Sequence, residues 1–188
     1  MVLVPSLTAL GLGFGGSELI LSLLKRSSAS AASRDRQSLR LLWIVIMLSV
    51  LASMVLKIAA PAVAIPYAQR LYPAGFAVFA LGTLLRWYSI FFLGRFFTVN
   101  VAISADHRVI DTGPYRHVRH PSYAGSLLQF FGYGLCLGNL LSLIALLLPV
   151  FWAYRRRMGI EEAALADALG EPYRAYMKRT RRLVPAIY

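Results

Sequence analysis

Apolar residues in this chain come in long uninterrupted blocks with the polar residues gathered between them. Five blocks stand out, at about Val2 to Leu24, Leu39 to Ala60, Pro73 to Gly94, Pro121 to Leu137 and Leu140 to Tyr154. Pro121 to Tyr154 contains no Asp, Glu, Lys, Arg or His. As one helix this run would be roughly 50 Å long at about 1.5 Å per residue, too long for a single crossing of a hydrocarbon core about 30 Å thick. Two spans joined by a turn at Gly138-Asn139 fit better. The first block lacks a basic leader and is too long for a signal peptide. Its Gly11-to-Gly16 run superficially resembles a dinucleotide fingerprint, but no strand precedes it. Gly11 and Gly15 have the spacing of a close helix contact, which is the reading adopted.

The polar stretches predict an orientation. The first connection carries Lys25, Arg26, Arg34, Arg36 and Arg40 against Asp35, and the second carries Arg70 among prolines. The third carries Arg95, Arg108, Arg116 and Arg119, the fourth no charge, and the tail eight basic residues. Basic and nearly neutral connections alternate, as the positive-inside rule requires. The N-terminus is therefore expected outside, with the third connection and the tail together at the cytoplasmic face.

Composition agrees. The 188 residues are 58% hydrophobic, with a mean hydropathy of +0.61 and a net charge of +12. That length allows one domain, residues 1–188, divided into three N-terminal spans (1–94) and a C-terminal half (95–188). In a soluble protein the charge would suggest nucleic acid. In loops beside a bilayer it implies topology and contact with anionic lipid, so no nucleic acid is expected, and no obligate protein partner is evident. Cys136, inside an apolar block and without a disulfide partner, reads as packing. The expected fold is an all-α integral membrane protein with about five transmembrane helices, and a cytoplasmic C-terminal helical region forming a pocket.

Candidate chemistry is concentrated where the third connection meets the fourth block. Residues 113–125 hold two histidines, two arginines and two tyrosines at the mouth of the apolar hairpin, a placement suited to one water-soluble and one lipid-soluble reactant. Beyond Arg155-Arg156-Arg157, which reads as the close of the fifth span, Glu161 to Leu169 predicts a short helix stopped by Gly170. Glu171-Pro172-Tyr173 opens another. There Tyr173, Tyr176 and Thr180 recur at helical spacing, which equally suits an amphipathic helix resting on anionic lipid. Glu161 and Glu162 either pair with the neighbouring arginines or bind a cationic group. Arg86, inside the third span, is a functional candidate because a charge facing lipid is costly. Arg95 and Arg119 are weaker cases. Tyr88, Phe91, Phe92, Phe96 and Phe97 suit packing, an interfacial belt or the lining of an apolar tunnel. His117 suits a headgroup contact. His107, His117 and His120 lack an acidic or cysteine ligand at suitable spacing, so no metal is expected.

Asp106 to Tyr115, Arg119-His120-Pro121-Ser122-Tyr123-Ala124-Gly125, Glu161-Glu162 and Leu169 to Tyr176, followed by Arg182 and Pro185, occur in order over about residues 95–186. This set resembles the isoprenylcysteine carboxyl methyltransferase family. The resemblance implies an integral membrane enzyme that moves a methyl group from S-adenosyl-L-methionine to the carboxylate of a C-terminal prenylated cysteine. It implies cofactor contacts at Asn100 (often Gln in the family), His107, Arg108, Val109, Ile110, Tyr115, His120, Pro121, Ser122, Tyr123 and Glu161. It assigns the substrate to Arg157; Arg86 and Arg95 are added here as possible acceptor contacts.

The chemistry of the reactants is consistent with these roles. A sulfonium, an amino-acid head and an adenine call for an acid, cationic donors and an aromatic or apolar slot. A carboxylate acceptor, with a pKa of about 3.5, is ionised at neutral pH and needs no general base. Placement and exclusion of water are what the protein must supply. Arg157 offers a planar fork for the carboxylate of a lipid-soluble acceptor entering from the bilayer. Alternative readings are a phospholipid N-methyltransferase, a sterol-type membrane reductase using a nicotinamide, and a non-catalytic membrane scaffold.

Overall fold

The computed structural model describes residues 6–24, 33–97 and 108–185. They form helices α1 (Leu7–Leu24), α2 (Ser33–Ala59), α3 (Ala68–Leu93), α4 (Pro121–Leu137), α5 (Leu140–Leu169) and α6 (Glu171–Arg179), with no strand among the described residues. All five apolar blocks are helical over most of their length. Two helical stretches, Gln37–Ala59 and Ala68–Leu93, are long and apolar enough to cross a membrane on their own, with mean hydropathies of 2.5 and 1.7. Their outer faces present Met47, Leu48, Leu51, Ile58, Leu81, Leu84 and Phe91 to the surroundings.

The α4–α5 turn falls where the sequence puts it. Gly138 takes φ 66°, and Asn139 caps α5 by accepting from Ser142 N at 3.0 Å. Asn139 Nδ2 also donates to Ala60 O at 2.8 Å, tying this turn to the α2–α3 connection. At the other end of α4, three backbone hydrogen bonds clasp the third connection to the tail: Arg119 N to Arg181 O (2.7 Å), His120 N to Arg182 O (3.0 Å) and Arg181 N to His117 O (3.2 Å).

Two expectations about helices need correction. α5 does not end at Tyr154. It runs on through Arg155–Arg157 and Gly159 to Leu169, with Gly170 as its stop at φ 63°. A mid-helix glycine costs about 1 kcal/mol, too little to break a helix packed on both sides of it. Close glycine packing is also not at Gly11 and Gly15, where a Cβ would meet nothing within 4 Å. It lies between α3 and α4. A Cβ on Gly132 would come within 2.4 Å of Phe79 N, and one on Gly82 within 2.6 Å of Gly125 O. Gly75 and Gly82 on α3 thus face Gly132 and Gly125 on α4, letting the two backbones touch. The core beside this seam is built from Ile46, Phe130, Tyr133, Cys136, Leu146, Val150 and Tyr154.

Candidate functional site

Two neighbouring cavities occupy the end of the bundle where the third connection meets α4 and α5. The first is an open recess of about 800 Å³, its mouth included, lined by Arg108, Val109, Ile110, Tyr115, Arg119, His120, Ser122, Tyr123 and Glu161. Leu93, Phe96, Phe97, Leu165, Leu169, Tyr173 and Tyr176 complete its wall. The second, its open side included, is a slot of about 580 Å³ among α1, α2, α3, α4 and α5. Phe14, Leu21, Leu39, Leu42, Trp43 and Ile46 make it apolar, while Glu18, Arg86 and Arg157 bring charge to it. Tyr123 and Phe97 line both cavities.

The recess is shaped by the polar loop. Gly113 takes φ 55°, and a Cβ there would sit 2.4 Å from Phe92, so the tight approach of the loop to α3 requires glycine. The following turn buries Tyr115, whose hydroxyl donates to Ser89 O at 3.2 Å. The Tyr176 hydroxyl donates to Tyr115 O at 2.6 Å, so α6 closes onto the loop. Tyr173, Tyr176 and Thr180 are all buried. Their stripe therefore packs on the protein, and the lipid-resting reading of that face does not hold. Burial pushes the phenols of Tyr115, Tyr173 and Tyr176 above their ordinary range, so they act as neutral donors; Glu161 adds to the effect at Tyr115.

The adjacent glutamates have different surroundings. Glu162, 3% exposed, faces the clasp. It accepts from Arg119 Nε at 2.9 Å and Arg182 Nη2 at 2.7 Å, and lies 3.1 Å from His120 Nε2. Burial alone would raise its carboxyl pKa, but the hydrogen bonds from His120, Arg182 and Arg119 outweigh it and hold the pKa at about 2. Glu161 lines the recess. Its Oε2 is buried without a hydrogen-bond partner, 3.6 Å from His120 Nδ1. An anionic oxygen left in this state favours a cation in the recess.

Arg157 lies elsewhere. It is 2% exposed and faces the slot, with Nε donating to the Tyr123 hydroxyl at 3.1 Å and Nη1 to Ser38 Oγ at 2.8 Å. Arg157 and Glu161 thus open onto adjoining cavities with Tyr123 between them. The Tyr123 ring stacks on His120 (centroids 5.5 Å apart) and leans on Tyr154 (4.8 Å). Arg86 is buried in the slot, forked onto Glu18 by two 2.7 Å contacts and bonded to Ser126 Oγ at 2.7 Å.

Of the residues expected at the cofactor, Arg108, Val109, Ile110, Tyr115, His120, Ser122, Tyr123 and Glu161 converge on the recess. Pro121 is buried as the first residue of α4. Asn100, His107 and the side chain of Arg95 lie outside the described residues. The sequence reading missed Glu18 altogether and did not assign Glu162, Tyr173 or Tyr176 to the site. Helical spacing flagged the two tyrosines, but nothing in the sequence linked Glu18 to Arg86.

The profile of the isoprenylcysteine carboxyl methyltransferase family matches residues 75–167, which include both glutamates, Arg157, Arg86 and the motif loop. The chain belongs to this family. A protein-S-isoprenylcysteine O-methyltransferase of Schizosaccharomyces pombe is 33% identical over 109 residues, covering 57% of this chain and 46% of the relative. Protein-S-isoprenylcysteine O-methyltransferase B of Arabidopsis thaliana is 33% identical over 115 residues, covering 60% and 58%. The chain thus spans about half the length of the curated relatives it matches. The solved structure of a eukaryotic intramembrane Ras methyltransferase, an isoprenylcysteine carboxyl methyltransferase, superposes with a TM-score of 0.63 at 29% identity, covering 77% of this chain and 52% of that one. With that intramembrane neighbour and its apolar helices, this family member is a helical membrane protein.

Proposed function

We propose that the protein is a membrane methyltransferase that moves a methyl group from S-adenosyl-L-methionine to the carboxylate of a lipophilic acceptor, most like a C-terminal isoprenylcysteine. The observation that carries this reading is the pair of adjoining cavities, one polar and open, one apolar and charged at the shared wall. The donor supplies an electrophilic methyl on a sulfonium. The recess suits it chemically: Glu161 offers a carboxylate oxygen without a hydrogen-bond partner to a cation, Arg108 and Arg119 are cationic partners for a carboxylate head, and the aromatic and leucine wall suits adenine. In the slot, Trp43, Phe14 and the leucines suit a lipid chain, and Arg157 suits its carboxylate beside Tyr123.

In this reading Arg157 holds the ionised carboxylate by its planar fork, the wall at Tyr123 and Phe97 sets the direction of transfer, and the apolar lining excludes water. Glu18, the carboxylate lining the slot, has both oxygens on Arg86, which makes it a poor base for an amine acceptor and favours O- over N-methylation. We further propose a single domain whose five apolar blocks each cross the bilayer. The N-terminus lies outside, the recess opens to the cytoplasm, basic loops lie near anionic lipid, and the acceptor enters sideways.

Arg157→Lys tests the assignment, because it keeps the charge and loses the fork. The expected result is a large fall in methylation of a farnesylated cysteine analogue, with S-adenosylhomocysteine affinity nearly unchanged. Normal turnover, or failure only because the donor no longer binds, would overturn it.

A further inference from the structure

Glu18 has no part in the reaction described above, yet it is a buried carboxylate in an otherwise apolar stretch of α1. It lines the slot with both oxygens on Arg86: Oε1 to Nε and Oε2 to Nη2, each at 2.7 Å. Arg86 turns its remaining nitrogen to α4, at 2.7 Å from Ser126 Oγ and 3.5 Å from Ser122 O. Desolvating such a pair costs about as much as its attraction returns, and apolar residues of similar size would join α1 to α3 at least as well. α1 already has apolar anchors in Leu10, Leu21 and the edge-on contact of Phe14 with Phe130 at 5.1 Å. The pair therefore needs a reason beyond fastening α1 down.

The slot suggests one. Two guanidiniums, Arg86 and Arg157, line it, and a guanidinium is the group that best recognises a carboxylate. Only Arg157 is bonded to Tyr123, the wall shared with the recess. A lipid carboxylate captured on Arg86 would be held by an arginine tied to α3, α1 and Ser126 and not to that wall. We propose that Glu18 is a specificity-determining residue that stands in for an acceptor carboxylate on Arg86, so that an incoming carboxylate is directed to Arg157. This inference rests on the proposed acceptor chemistry. Glu18 acts through Arg86 and touches no reacting atom; it removes an unproductive docking mode.

The test uses the full chain in lipid nanodiscs with S-adenosylhomocysteine bound. It compares the affinity of a farnesylated cysteine analogue with that of its methyl ester, which has the same lipid and no charge. Glu18→Gln exposes the Arg86 charge, so the preference for carboxylate over ester is expected to rise by about tenfold or more. Turnover of the analogue should show a lower KM together with a lower kcat, the signature of tight but misplaced binding. The double variant Glu18→Gln/Arg86→Gln removes both charges and should return the preference to the wild-type value. If Glu18 only fastens α1, carboxylate and ester affinities of Glu18→Gln fall together and its preference does not move; that result overturns the proposal. Should Glu18→Gln not fold, a double variant with a preference unlike wild type overturns it as well. If the wild-type protein turns over no carboxylate acceptor, the reading of the reaction fails, while the carboxylate-to-ester ratio still reports on Glu18.

Discussion

Replacing Glu162 with glutamine removes the one anion on which Arg119, His120 and Arg182 converge. The cost follows from the position of its carboxyl pKa, about 2 in the folded protein against an ordinary 4.5. At about 1.4 kcal/mol for each pH unit, that difference is worth roughly 3 kcal/mol, and somewhat less once screening at the partly exposed Arg182 is allowed for. The folded value is depressed, so the stabilisation is fully present above about pH 4.5 and is lost as pH falls towards 2. Glu162→Gln should therefore lower the unfolding temperature in detergent at pH 7 by several degrees, and the gap between variant and wild type should close on acidification. S-adenosylhomocysteine affinity should fall with it, because His120 and the clasp form one side of the recess. Thermal unfolding from pH 7 to pH 3, followed by tryptophan fluorescence, reads both effects. An unchanged unfolding temperature at pH 7, or a gap that stays constant down to pH 3, would refute the reasoning.

Glu161→Ala should weaken S-adenosyl-L-methionine binding by about 1–3 kcal/mol in calorimetry while leaving the unfolding temperature nearly unchanged, unlike the Glu162 variant. Gly132→Ala drives a methyl group to 2.4 Å from Phe79 N and should destabilise by about 1–3 kcal/mol, whereas Gly11→Ala, inside α1 with open space around it, should be neutral or stabilise by up to about 1 kcal/mol. Cysteine at the exposed Lys178 should react with an impermeant maleimide only after the cytoplasmic face is opened. Labelling in intact cells would reverse the proposed orientation.

What could be read from the sequence was local. His120, Ser122 and Tyr123 lie next to one another in the chain, so one turn of backbone brings them to one recess, and a motif can record that. Glu18 and Arg86 meet across 68 residues, in blocks whose apolar character hides which face turns inward. Glycine spacing failed for a related reason. Gly11 and Gly15 have the interval of a close contact but meet no helix among the described residues, while Gly82 and Gly125 meet in pairs that neither helix reveals alone. The arginine triplet suggested a helix end because charge marks the edge of lipid, but a helix need not stop where the bilayer does. Glu161 and Glu162 differ by one residue, about 100° around α5, enough to send one to the recess and the other to the clasp.

The clasp also orders events during synthesis. Arg119 donates to Thr180 O across 61 residues, so its partner leaves the ribosome roughly 3–12 seconds later at about 5–20 residues per second. In that interval α4 and α5 are made, and the glycine seam with α3 can already close. His120 and Arg119 wait beside the nascent Glu162 until Arg181 and Arg182 emerge. The residues of the lipid-facing scaffold are thus all synthesised before the last ones that close the polar chamber beside it.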